Sequence, residues 1–427
     1  MPRAKYTARE PSSYTRAVPR SSAEPPSITP ESRVILFITV FIHLLGFGII
    51  IPLLPYYAET YGATGITVGL LTTSFSFCQF LFAPVWGRLS DRVGRRPVLI
   101  LSLLVTGLSY LVYAGAHSLA VLFLSRMLAG VAGAVLSTAQ AYVADTTTPE
   151  NRTKGMGLIG AAFGMGFIFG PAIGGILSRW GFAAPAYASA GLALAAAGFA
   201  AIRLPESLPP AVRAEAAARR SGRTGFREAF SRPVVGTVLG LFFVATLCFS
   251  GMEAILALFT QRHYGWGPHQ IGYLFAYVGV VAAAMQMGIV GALVRRFGER
   301  ALIRAGLLLM GAAFATAGVA PPLALFLLAM GAIAVASGLL TPSLSGLISI
   351  ATSPEEQGGI LGMYQSLGSL ARAVGPFLGG LVFDVVSPGA PLWMAGGVLW
   401  VAALAAARLP RREGARSVQG TSEGSTV

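Results

Sequence analysis

Four side chains that can carry charge lie deep inside apolar stretches of this sequence: His43, Arg126, Glu253 and Arg372. A charge in hydrocarbon costs about 3 kcal/mol or more, so such residues are kept where charge must be moved or bound. Glu253 is the only acid set so deep, and Thr246, Ser250 and Glu253 follow i, i+4, i+7 on one helical face. A carboxylate in that setting suits reversible proton uptake, or service as counter-charge to a cationic ligand. Arg126 shares a stripe with Gly130, Gly133, Ser137 and Gln140. A stripe of small and polar residues faces a cavity or another helix rather than lipid. Gln365, Ser369 and Arg372 share a face as well, and Arg372 is a candidate partner for Glu253. Histidine titrates between pH 5 and 8, so His43 reads either as a second proton site or as a passive, hydrogen-bonded ring. Gln79, in line with Thr72 and Ser76, and Gln286 are neutral amides suited to hydrogen-bonding a ligand or a neighbouring helix. Tyr273 and Tyr277 are candidates for an apolar pocket wall, whereas Glu59 and Asp384, near helix ends, read as solvated boundary charges.

The elements that must position these residues are membrane spans. The chain is 54% hydrophobic and 11% charged, with 53 glycines among 427 residues, whereas a soluble protein carries about 25% charged residues. A spanning helix needs about 20 apolar residues. Twelve stretches qualify, near 34–56, 66–86, 97–116, 119–143, 154–178, 182–202, 233–260, 269–293, 301–319, 322–348, 357–384 and 391–409. The fold expected is an all-α integral membrane protein of two six-helix bundles, 34–202 and 233–409. A linker at 203–232 joins them, and tails at 1–33 and 410–427 are expected to be disordered. The first apolar run, from Val34, is too long for a signal-peptide core and reads as a retained span. Counting loop by loop, 27 of the 31 Lys and Arg residues fall on one side, and only Arg179 and Arg262 fall on the other. The positive-inside rule makes the first side, with both tails, cytoplasmic.

Several function classes drop out. The net charge of +14 is broken into short blocks between apolar runs, which argues against nucleic-acid binding. Cys78 and Cys248 lie far apart within apolar runs, so neither a structural disulfide nor a metal site is expected. Lys5 and Lys154 are the only lysines and neither sits in a phosphate-binding loop, nor is there an HExxH zinc motif. A membrane enzyme or ATP-driven pump is therefore the weakest reading.

The halves look like copies. GRLSDRVGRRPVL (87–99) aligns with GALVRRFGERALI (291–303) at an offset of 204. FGPAIGG (169–175) aligns with VGPFLGG (374–380), and TPEN (148–151) with SPEE (353–356), both at 205. YGATGITVG (61–69) aligns with YGWGPHQIG (264–272) at 203. Six spans per repeat make the repeats parallel, with a substrate site at the membrane midplane between them.

These features, with RMLAGVAGA (126–134), GMGFIFGPAIGG (164–175), LLGFGIIIPLLP (44–55) and FTQRHYGW (259–266), resemble the major facilitator superfamily. Within it they resemble the twelve-span drug:proton antiporters of the tetracycline-exporter and multidrug type. The resemblance covers nearly all of 34–409 and implies a monomeric secondary transporter in a bacterial inner membrane. It implies a proton gradient as energy source, no cofactor, and a lipophilic or cationic small molecule as substrate. It assigns Arg126 to proton coupling through a nearby acid, and Gly170, Pro171, Gly174 and Gly175 to a seal against leak. Tetracycline exporters carry membrane carboxylates where this chain has His43, Ser109 and Met310, which favours broader drug export over a metal–tetracycline substrate. The alternative is a carrier of a physiological solute such as a sugar, amino acid or lysolipid.

The same fold gives the 87–96 cluster a task as a gate between the second and third spans. Gly87 and Gly94 are expected to allow a tight turn, and Arg92 and Arg96 to complete its basic face. Asp91 is expected to reach the N-terminus of the eleventh span, a partially positive helix end, while Arg95 pairs with Asp145. The eleventh span is expected to start with a capping box at Ser353–Glu356, and the fifth with the same device at Thr148–Glu150. In the second repeat Arg295 stands for Asp91 and Glu299 for Arg95, so one copy alone can donate a carboxylate there.

Overall fold

The computed structural model describes residues 30–147, 149–207, 226–285, 289–352 and 356–409. The expected tails, apart from residues 30–33, lie outside the described residues, as do Gln286, Thr148 and Ser353–Glu355 of the expected caps. Among the described residues every regular element is helical.

The first repeat comprises α1 (Pro30–Ile50), α2 (Leu54–Glu59), α3 (Gly65–Val93), α4 (Arg95–Ala114), α5 (Leu119–Val131), α6 (Val135–Thr146), α7 (Pro149–Leu177) and α8 (Ala183–Arg203). A short α9 (Phe226–Ser231) precedes the second repeat. That repeat comprises α10 (Pro233–Tyr264), α11 (Pro268–Ala284), α12 (Val290–Phe297), α13 (Glu299–Gly318), α14 (Leu323–Ile350), α15 (Gln357–Val385) and α16 (Ala390–Ala405). Among the described residues, 10 helices are long and apolar enough to cross a membrane. The two remaining expected spans correspond to α11 with α12, on either side of residues 286–288, and to the 16-residue α16. The chain is thus a multi-pass membrane protein.

Packing repeats with the sequence. In the first half α1 lies on α7, α4 on α8, and α3 on α5; in the second half α10 lies on α15, α13 on α16, and α11 on α14. The halves meet along two seams, α3 with α15 and α7 with α11. Glycine against backbone makes the approach close. On the second seam, a Cβ added at Gly272 would sit 2.5 Å from the Pro171 carbonyl oxygen.

Two expectations about the 87–96 segment change. Gly87 lies inside α3 and faces open space, so it makes no turn. The turn falls at Gly94 alone, with φ 110°, and at its repeat equivalent Gly298, with φ 77°. Only glycine takes such φ values without strain, which explains why both copies hold it. The charged stretch before Gly94 is helical, continuing α3 out to Val93. The fourth expected span is interrupted at residues 132–134, where Gln79 donates to the Gly133 carbonyl at 3.3 Å.

Hydrogen bonds between the halves cluster at one end, opposite the arginine-rich loops. Tyr56 donates to the Trp266 carbonyl at 3.2 Å, and Thr73 to the Ala373 carbonyl at 2.6 Å. The protein is closed at that end.

Candidate functional site

Within the second half, glycine decides where the charged residues stand. Gly251 on α10 packs against Gly375 and Gly379 on α15, and Ser250 donates to the Ala371 carbonyl at 3.2 Å. Next to these contacts along the chain lie Glu253, half-buried on α10, and Arg372, half-buried on α15. The two interact electrostatically without forming a direct ion pair; Arg372 donates to Ser369 Oγ at 3.3 Å. The pairing expected from depth alone is therefore a facing of opposite charges, with the carboxylate left open to another partner.

The first half presents aromatic rings. Phe47 on α1 lies 5.5 Å from Phe75 on α3 and 6.2 Å from Phe167 on α7, which stacks on Phe163 at 4.6 Å. His43, one helical turn before Phe47, has a buried Nδ1 with no hydrogen-bond partner. Rings of this kind bind flat apolar molecules and offer their faces to cations. Tyr273 and Tyr277 are exposed, and the Tyr277 hydroxyl sits against Gly331 of the same half.

Arg126 is 4% exposed and lies over the Tyr113 ring at 4.9 Å and the Tyr110 ring at 6.0 Å. Its Nε approaches Ser125 Oγ at 3.5 Å, and Nη2 has no partner. Among the described residues no carboxylate pairs with it, so the acid that the resemblance implies beside this arginine is absent here. Tyrosine faces supply the counter-field instead.

At the arginine-rich end Arg95 is a hub. Its guanidinium meets Asp145 at 2.8 Å, Asp91 at 2.6 Å and Ser90 Oγ at 2.7 Å. The Arg95–Asp145 contact expected from the sequence is present. The stretch that Asp91 is expected to reach, just before α15, includes residues 353–355, which lie outside the described residues. Asp91 is 42% exposed and turns back to Arg95 four residues on. Glu206, which sequence reasoning missed, caps α4 by accepting the backbone N–H of Arg95 at 2.8 Å and of Arg96 at 3.3 Å. Arg96 also donates to the Ala201 carbonyl. Near the start of α15, Glu356 takes two hydrogen bonds from Arg232, at 2.6 and 2.8 Å, and this holds the guanidinium more firmly protonated than usual. Arg92 is exposed.

Arg95→Gln is expected to lower thermal stability more than Asp91→Asn. Removing the buried cation strands Asp145, and breaking a buried pair from one side costs about 3–5 kcal/mol. Asp91 is half in solvent, where a pair is worth about 1 kcal/mol or less. Melting curves of the two purified variants give the comparison, and equal losses would refute the hub.

At the closed end, Asp384 is exposed, as expected of a boundary charge, and has a further role. Its carboxylate accepts the backbone N–H of Gly65 at 3.0 Å and of Ile66 at 2.7 Å, capping α3 from the other half. Glu59 faces Gln261 and Arg262 across the halves. On the other seam, Arg179 Nε donates to His269 Nε2 at 3.2 Å. The Gly-Pro segment stands at this junction: Gly174 packs on Ile49 of α1, and Gly175 on Pro268 and His269 of the other half.

The family model described as Major Facilitator Superfamily matches residues 36–299 and again 254–426. Multidrug resistance protein 2 of Bacillus subtilis (strain 168) is 32% identical over 82% of this chain and 88% of its own length. Tetracycline resistance protein, class B, of Escherichia coli is 30% identical over 88% of this chain and 92% of its own. The crystal structure of the human organic anion transporter MFSD10 (TETRAN) superposes with a TM-score of 0.67 at 29% identity, covering 89% of this chain and 100% of that one.

Proposed function

Because the chain belongs to the Major Facilitator Superfamily, we propose that it is a proton-coupled exporter of lipophilic small molecules that works by alternating access. The observation that carries this reading is Glu253, a lone half-buried membrane carboxylate facing Arg372 without a closed ion pair. Such a group exchanges a proton for a substrate contact at little structural cost. The aromatic cluster around Phe47 supports a lipophilic substrate, and the multidrug and tetracycline resistance relatives support export. The arginine-rich end, with both termini, is cytoplasmic in this reading, and the membrane is the bacterial inner membrane. The protein acts as a monomer, driven by the proton gradient with no cofactor.

In the cycle, the cytoplasm-open form takes substrate, which displaces the proton from Glu253 toward the cytoplasm. The halves then rock about the two seams. On the outside the substrate leaves and Glu253 is reprotonated. The packing of Gly170 and Gly174 against α1 keeps the Gly-Pro segment watertight during the swing. Asp91 engages the start of α15 when the cytoplasmic end closes.

A second reading, export of organic anions, has one observation in its favour. Arg126 and Arg372 outnumber Glu253 in the apolar spans, and the solved relative is described as an organic anion transporter. Susceptibility profiling of cells expressing the chain decides between them, with lipophilic cations and anions tested with and without a protonophore. Protection against cations that the protonophore removes is the expected result. Protection against anions alone selects the second reading, and downhill import indifferent to pH overturns both.

A further inference from the structure

Asp384 occupies a place that the repeat makes informative. It lies in the last turn of α15, where the negative end of its own helix repels it. Its carboxylate instead meets the positive N-terminus of α3, through Gly65 and Ile66. Gly65 makes room for this: a Cβ there would stand 2.7 Å from Asp384 Oδ1. Arg262 of α10, over the Phe383 ring at 4.5 Å, and Glu59 are the other charged groups at this corner.

The same corner exists on the other seam with different chemistry. At the offset of 205, Asp384 corresponds to Arg179; at 203, Ile66 corresponds to His269. There a cation points toward the start of α11 and donates to His269 Nε2 at 3.2 Å. A helix N-terminus attracts a carboxylate and repels a guanidinium, so among the described residues only the α3–α15 seam carries a capping carboxylate at this end. At the cytoplasmic end the asymmetry falls on the same seam. Asp91 lies in the last turn of α3, paired with Arg95 at 2.6 Å, while the repeat copy holds Arg295.

We propose that Asp384 is the latch of the external face: its carboxylate on the N-terminus of α3 holds that face shut, and its release opens the protein outward. Asp91 and Asp384 are then opposed, each at the C-terminal end of one helix of the same pair. Each engages the N-terminus of the other helix only in the state where the other has left its own. The proposal rests on the alternating-access reading above but on no particular substrate.

Paired spin labels test it in reconstituted membranes, after Cys78 and Cys248 are replaced by Ser. One pair, Trp180→Cys with Val319→Cys, reports the external end, and Ile202→Cys with Ile350→Cys reports the cytoplasmic end; all four positions are exposed. Asp384→Asn removes the charge, Asp384→Ala removes both acceptors, and Gly65→Ala pushes the carboxylate away without altering it. Each is expected to raise the ratio of the long to the short external distance about tenfold, the equivalent of one cap worth about 1.4 kcal/mol. The cytoplasmic distance should shorten in step. Arg179→Gln should leave both distributions unchanged. Unchanged distributions in the Asp384 and Gly65 variants overturn the latch, and so does an equal opening by Arg179→Gln. If Asp384→Ala does not fold, the isosteric Asn variant and Gly65→Ala test the latch in its place. No substrate is present, so failure here is distinguishable from a wrong assignment of the exported compound.

Discussion

Glu253→Gln is expected to abolish proton-driven efflux while leaving the protein folded and in the membrane. Glutamine keeps the volume and one carbonyl acceptor, so the close α10–α15 packing around Gly251 and Gly375 is undisturbed. It removes the charge that faces Arg372 and the only acid deep in the apolar spans. Without that carboxylate the proposed coupling between the proton gradient and the halves is lost. Exchange of labelled substrate down its own gradient should survive, whereas accumulation against a gradient should fall to the level seen with a protonophore. Inverted vesicles loaded with a pH-sensitive dye measure both, because substrate addition to wild type releases protons and addition to the variant should not. Full gradient-driven transport by Glu253→Gln would remove Glu253 from the mechanism and leave His43 as the membrane group to test next.

The second large effect is structural. Gly170→Leu should destabilise the protein strongly, because a Cβ at that position stands 2.8 Å from the backbone of Gly48 and 2.9 Å from the Leu45 carbonyl oxygen. Backbone cannot move aside as a side chain can, so α1 and α7 must separate. Overpacking of this kind costs about 1–3 kcal/mol or more. Gly164, earlier on α7, is the control: it has no atom within 4 Å of a Cβ, and Gly164→Ala should be neutral or gain about 0.5–1 kcal/mol from helix propensity. Thermal melts in detergent report the difference. Equal melting temperatures for Gly170→Leu and wild type would refute the close α1–α7 contact.

What is legible in the sequence divides along physical lines. The spans, the two repeats and the pairing of Arg95 with Asp145 rest on long apolar runs, on repeated motifs and on side-chain charge, all of which are written in residue types. The cap on α3 is not. Its donors are backbone N–H groups, which every residue but proline carries, and its acceptor lies 319 positions away in the chain. The cap that Glu206 places on α4 is hidden for the same reason. Arg126 shows the limit of reasoning by sign: a buried cation invites a search for an acid, yet aromatic faces hold it. Gly87 reads as half of a matched pair with Gly94, but only backbone dihedrals separate a glycine that turns the chain from one that merely leaves space.

The seams between the halves have a thermal consequence. Where the closed end zips together, much of the contact is glycine against backbone: Gly65 with Gly380, Gly69 with Pro376, and Gly272 with Pro171. Glycine has no rotamers to freeze, and a buried long side chain would forfeit about 1.5–2 kcal/mol of entropy. Zipping and unzipping such surfaces immobilises few torsions, which keeps the two conformers close in free energy over a wide temperature range. A balance that shallow is tipped by a handful of directional bonds, so a single carboxylate at the rim has leverage over 44.3 kDa of protein.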